Sequence, residues 1–124
     1  MKINKITDEE ILFDNGYSIT YYHEQNCCED VYADFKYLNE MNILPQTGEK
    51  ITIYDIEFNK DIDKNIEEVE DMGFRLVAKD MSKWFVPCYD EQNGCYSSDL
   101  NLIINKSNVK INLDITGCTK FIGR

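Results

Sequence analysis

Residues 21 to 35, YYHEQNCCEDVYADF, place a histidine four residues before two adjacent cysteines, among acids and aromatics. Three chemistries could use such a set, and each makes its own demand. A structural zinc needs three or four converging ligands. His23 with Cys27 or Cys28 gives only an H-x3-C or H-x4-C pair, and Cys88 with Cys95 gives C-x6-C rather than a tight C-x2-C knuckle. Dithiol redox work wants C-x-x-C beside a βαβ pattern, which is missing. Cys27 in a first helical turn would have a lowered thiol pKa, yet it lacks a resolving cysteine or a partner base. A nucleophilic enzyme wants Cys or Ser with His and a carboxylate. Such an enzyme would have to use His23, the one histidine in the chain. The plainer alternative is local structure. Asn26 and Glu29, three apart, form a helix-start signature, and His23 is then a polar residue at a strand end. The expectation is no metal, no cofactor and no catalytic residue.

Phosphate chemistry leaves a different trace. There is no G-x-x-x-x-G-K and no G-x-G-x-x-G. A bound nucleotide would be held by aromatic stacking, worth roughly 1 to 3 kcal/mol per base, and by scattered bases. Trp84, Phe85, Tyr89 and Tyr96 surround a segment that also carries Gln92 and Asn93. Nearby bases are Arg75, Lys79 and Lys83, with Lys106 and Lys110 further on. The competing assignment puts Phe85 and Tyr96 in a sheet core.

The elements that must position these residues read as follows. Alternating apolar runs on either side of Asp14-Asn15-Gly16 predict strands near 2–6, 10–14 and 17–23, joined by an Asn-Gly hairpin turn. Apolar residues at Cys28, Val31, Tyr32, Phe35, Leu38 and Met41 fit one helical face and predict a helix over about 27–40. Pro45 and Gly48 end it. The run 51–58 reads as a strand, Ile62, Ile66 and Val69 could line a short helix, and 74–78 reads as a strand. KWFVPCYDEQ and CYSSDLNLII flank Asn93-Gly94 as a second hairpin, with Pro87 marking an edge strand or a bulge. A third hairpin turns near Ser107-Asn108. The predicted fold is α+β: an antiparallel sheet of about six to eight strands built from hairpins, with one principal helix on one face.

The chain has 124 residues, one domain's worth. With 13 Lys+Arg against 23 Asp+Glu its formal charge is −10. That argues against a DNA or RNA polymer as partner, since polymer binding runs on a basic surface. An anionic ligand would require the few bases to be gathered locally. No apolar run approaches the roughly 20 residues that span a bilayer, and no signal peptide is evident. A soluble intracellular protein is expected. Five cysteines, an odd number, argue for free thiols over a disulfide framework.

Over residues 10 to 104 two motifs resemble a known family. His23, Gln25, Cys27, Cys28, Glu29, Val31 and Tyr32 match H-x-Q-x-C-C-E-x-V-Y. Gln92, Asn93, Gly94, Tyr96 and Ser97 match a later Q-N-G-Y-Y-S-type motif, with Cys95 where the family has a tyrosine. Together they look like the first-described Thoeris anti-defence family of phage proteins. These are sponges for the cyclic ADP-ribose isomer made by bacterial TIR-domain enzymes, and some also sequester cyclic oligonucleotides. The resemblance implies binding without cleavage, a homodimer or higher homo-oligomer, and action in the cytoplasm of an infected bacterial host. It implies a pocket with an aromatic and an asparagine near the second motif, for which Phe85 and Asn93 are the candidates. The family's arginine on the following strand has no counterpart here, since the only arginines are Arg75 and Arg124; Lys110 is the nearest base. Lysine gives a point charge in place of a bidentate fork. The full ligand-binding set is Phe85, Asn93, Lys110, Trp84, Arg75, Tyr96 and Gln92. Two alternatives stay open: an enzyme that degrades the same signal, using His23, and an acidic inhibitor of a basic host protein.

Overall fold

A computed structural model of the chain describes residues 1–24, 29–43, 46–92 and 99–123, with the backbone alone for Asn42 and Ile43. Among the described residues twelve strands appear: β1 (Ile3–Ile6), β2 (Glu10–Phe13), β3 (Ser18–Tyr22), β4 (Asp30–Ala33), β5 (Asn42–Ile43), β6 (Ile51–Thr52), β7 (Ile66–Val69), β8 (Gly73–Val77), β9 (Lys83–Gln92), β10 (Asn101–Lys106), β11 (Val109–Asp114) and β12 (Lys120–Gly123). They form two five-stranded sheets and a short ribbon. Sheet one runs β1-β2-β3-β10-β11, all antiparallel. Sheet two is centred on β9, with β8 and β7 beyond it, β4 antiparallel to it and β12 parallel to it. The hairpin architecture expected from the sequence is therefore present.

Period-two alternation buries one face of each sheet. Ile11, Phe13, Ile19, Leu102 and Ile104 come from sheet one, and Val31, Phe74, Leu76, Trp84, Val86 and Cys88 from sheet two. All belong to one core cluster. Each large apolar side chain withdrawn from water contributes about 1.5 to 3 kcal/mol. Ile3 and Ile6 both reach the core despite their odd spacing, because the register slips between Ile3 and Lys5. One extra residue there returns the second isoleucine to the inner face.

Three sequence expectations fail. No α-helix occurs among the described residues, and the helix expected over 27–40 is not formed. Its middle, β4, is a strand hydrogen-bonded to β9, and Phe35–Glu40 is a 3₁₀ helix. Inward residues Val31 and Ala33 follow strand spacing, while Phe35 and Leu38 follow the three-residue turn of a 3₁₀ helix. Read together they imitate a helical stripe. The short helix through Ile62, Ile66 and Val69 is likewise a 3₁₀ turn, Ile62–Asn65, running into β7. The run 51–58 holds strand only at β6, and Ile53–Asp55 is a 3₁₀ turn whose start is capped by Asp55 on the Thr52 N–H at 3.0 Å.

β9 and β10, the expected arms of a hairpin across Asn93-Gly94, are both strands but belong to different sheets and do not pair with each other. The turn itself lies outside the described residues. Pro87 sits on a strand partnered along both edges, not on an edge strand. Its carbonyl accepts from the Asp34 N–H at 2.8 Å on the β4 side, while the Cys88 N–H donates to the Met72 carbonyl at 3.0 Å on the other. The β4 register, Ala33 opposite Cys88, carries Asp34 opposite Pro87, so the proline removes the reciprocal bond of that pair and the ladder ends there.

Candidate functional site

His23 follows the last residue of β3, Glu29 precedes β4, Asp99 precedes β10, and Gln92 closes β9. These positions share one end of the molecule, and both sequence motifs contribute to it. The His23 side chain is only 2 % exposed and that of Glu29 is fully buried. His23 Nδ1 lies 2.6 Å from the Asp99 carbonyl oxygen, which can only accept, so Nδ1 carries a proton. Nε2 lies 2.8 Å from Glu29 Oε1. Burial acts to lower the imidazole pKa. The bond to Glu29, the bond to the Asp99 backbone and the nearby Asp99 carboxylate, 3.3 Å from Nδ1, outweigh it and raise the pKa above its usual value. An imidazolium facing a carboxylate satisfies both contacts of the ring. Glu29 thus serves as a histidine partner, not as the helix cap expected of it, because no helix begins there.

On the inner face of β9 the apolar series Trp84, Val86, Cys88 gives way to two polar residues, Asp90 and Gln92, which are 3 % and 2 % exposed. Gln92 Nε2 donates to Asp90 Oδ1 at 2.5 Å. The β4 register pairs Val31 with Asp90 and Asp30 with Glu91, and one step further it carries Glu29 opposite Gln92. Two buried polar pairs therefore adjoin. On the outer face, Tyr32 donates to Glu91 Oε1 at 3.1 Å and stacks at a tilt on Tyr89, with ring centroids 5.5 Å apart. Burial, then the Glu91 bond, push the Tyr32 phenol to about 12.

A cleft of about 330 Å³ opens beside His23, lined by Glu9, Thr20, Tyr21, Tyr22, Asp30 and Val31. An adjoining cleft of about 250 Å³ shares Tyr21 and Asp30 and adds Asp8, Tyr32 and Asp34. Four carboxylates thus border the seam between β3 and β4. Burial first, then Glu9, Asp30 and Asp8, raise the Tyr21 phenol pKa. A phosphate would meet repulsion along this seam.

The ligand-binding residues expected from the sequence scatter. Trp84 is fully buried and its Nε1 donates to Ser82 Oγ at 2.9 Å, so it is core. Phe85 faces outward from sheet two, edge-on to Tyr37 at 6.2 Å, with Arg75 as its cross-strand neighbour. Gln92 is seven residues along the same strand, about 23 Å away at the usual rise. Lys110 is exposed on β11, where Ile111 and Leu113 turn inward and Lys110 turns out from sheet one. Asn93 and Tyr96 lie outside the described residues, as do Cys27 and Cys28. Phe85 and Lys110 lie on the outer faces of different sheets.

The bases are not pooled for an anion. Arg75 and Lys83 both bind Glu67, at 2.6 and 3.0 Å, and together they lower its pKa. Lys106 binds Asp61 and Asp63 at 3.0 and 3.1 Å, and Lys36 binds Asp8 at 3.4 Å. No group of three or more metal-ligating side chains is assembled among the described residues, and no helix among them is long and apolar enough to cross a membrane. Reasoning from sequence missed the Glu29 partnership and the Asp90–Gln92 pair. The alternation of β9 was the available signal for the second, since even-numbered residues were already the inward ones. Comparison with protein-family models, curated proteins and solved structures returned no match.

Proposed function

We propose that the chain is a non-catalytic binding protein that sequesters a cyclic nucleotide signal, an isomer of cyclic ADP-ribose, and so acts as an anti-defence sponge in an infected bacterium. One observation carries the non-catalytic half of this reading. Both nitrogens of His23 face fixed partners, so neither is turned toward a nucleophile or a metal. The ligand half rests on the family resemblance and is supported by the approach of Gln92, from the second motif, to Glu29 of the first. Sequestration needs only burial and slow release, which aromatic surface and a few polar contacts can supply. Because Phe85 and Lys110 lie on the outer faces of different sheets, a pocket using both would be built between copies of the chain. Cyclic oligonucleotides are the second ligand class to try.

Calorimetry with cyclic ADP-ribose isomers, then heat denaturation and chromatography of what is released, tests the reading. Tight binding with intact ligand returned is the expected result, and Asn93→Ala and Lys110→Ala should weaken it. Altered ligand would overturn the sponge in favour of an enzyme. The four carboxylates of the β3–β4 seam favour a second reading, an acidic inhibitor that docks on a basic protein, and that reading predicts no bound nucleotide.

A further inference from the structure

The histidine and the glutamate of the first motif are left without a chemical role by a non-catalytic reading, yet they are the most deeply buried charged pair described at this end. Their partners explain where they are. Glu29 lies at the entry to β4, in sheet two, and Asp99 lies at the entry to β10, in sheet one. β3 and β4 are not hydrogen-bonded to each other, and the seam between them is the open cleft. The imidazole of His23 bridges that seam with two short bonds, 2.8 Å to one side and 2.6 Å to the other. A backbone carbonyl and a carboxylate can both be answered only by a ring that donates from both nitrogens.

We propose that His23, as an imidazolium, is a positioning residue that fastens the segment entering β4 to the segment entering β10, and that ligand capture by the protein requires the fastened form. The second clause rests on the sponge reading; the first does not. Loss of the ring proton would leave Nε2 with a lone pair against the Glu29 carboxylate, two acceptors 2.8 Å apart, and would break the bridge on the sheet-two side. The charged groups facing His23 are Glu29 and Asp99 directly, and Glu9 and Asp30 across the cleft, with the phenols of Tyr21 and Tyr22. All four carboxylates favour the protonated ring, so the bridge should outlast the pH at which a free imidazole loses its proton and fail as pH rises through the raised value.

Because His23 is the only histidine, its ring signals in an NMR titration are unambiguous. The expected result is a ring midpoint above the free value of about 6.5, with the backbone amides of residues 29–31 and 99–101 shifting at the same midpoint. Glu29→Gln keeps an acceptor but removes the charge, and should lower both midpoints together. Affinity for a cyclic ADP-ribose isomer should then fall roughly tenfold through that same transition, about the effect of one charge-assisted hydrogen bond. A ring that titrates at or below the free value, or amide shifts that ignore the ring, would overturn the bridge. Affinity indifferent to the transition would overturn the positioning role. If no such isomer binds at any pH while ring and amides titrate together, the sponge reading fails and the bridge stands.

Discussion

Gly73 offers the sharpest test of how β9 is held. It opens β8 opposite Pro87, with φ at +154°, a region L-residues rarely adopt. A Cβ built there collides with the Val86 carbonyl oxygen and comes within 3.0 Å of the Cys88 nitrogen and the Pro87 Cα. All three atoms are backbone of the strand that carries Asp90 and Gln92, so none can swing aside. Gly73→Ala should therefore incur two costs. Backbone strain is worth about 1 to 3 kcal/mol, and overlap with unyielding atoms about 1 to 3 kcal/mol. For a chain of this size, each kcal/mol lowers the melting temperature by roughly 4 °C, so the two costs together predict a fall of roughly 8 to 24 °C. Gly16→Ala and Gly117→Ala are the controls. Both have positive φ, +89° and +96°, but nothing lies within 4 Å of the added carbon. They should show only the conformational part, about 1 to 3 kcal/mol. Thermal and urea denaturation, followed by fluorescence of the single tryptophan, would separate the two terms. A Gly73→Ala midpoint no lower than that of Gly16→Ala would refute the close approach of β8 to β9.

Trp84→Ala should destabilise the fold by about 3 to 5 kcal/mol in urea melts, because the side chain is fully buried. Trp84→Phe should lose less and leave the affinity of the folded protein for its ligand unchanged, and a large affinity loss at preserved stability would return Trp84 to the binding surface. Burial chiefly, then Cys118 and Asp34, push the Cys88 thiol far above its ordinary pKa. Iodoacetamide at mildly alkaline pH should therefore spare Cys88 in the native protein and label it in urea, as read by peptide mass spectrometry. His23 has a folded-state pKa raised above its unfolded value. Its contribution to stability is then complete below about pH 6.5 and is lost as pH rises through the folded value. Urea midpoints of the native chain, compared with those of His23→Gln, should converge toward alkaline pH; a gap that widens there would reverse the assignment.

The hairpins were legible because their turns announce themselves. Gly16 adopts the positive φ expected of the Asn-Gly pair, though Asn15 does not, and Ser107 has positive φ at the later turn. The helix was misread for a physical reason. A strand followed by a 3₁₀ turn can place apolar residues at 31, 35 and 38, the spacing that also defines a helical stripe, and Asn26 to Glu29 has the spacing of a capping box. Only the tertiary partner distinguishes them, since Glu29 is fixed by a histidine six residues earlier and β4 by a strand nearly sixty residues later. Likewise, alternation identified β9 and β10 as strands but carries no record of which sheet each joins. Chemistry at His23 was visible as a residue type, while its neutralisation by two acceptors depended on Asp99, which no local pattern ties to it.

The threading of β9 and β10 also constrains how the chain can fold. β3 completes its ladder only against β10, some eighty residues later, and β9 gathers partners from residues 30–33, 73–77 and 120–123. Contacts so distant in sequence make folding slow relative to helical proteins of equal size. On the ribosome the first hairpin must wait, its β3 edge unpaired and Ile11, Phe13 and Ile19 uncovered, until residues 101–106 emerge. Productive folding is therefore a late event in synthesis, and the interval before it is when the nascent chain is most exposed to aggregation.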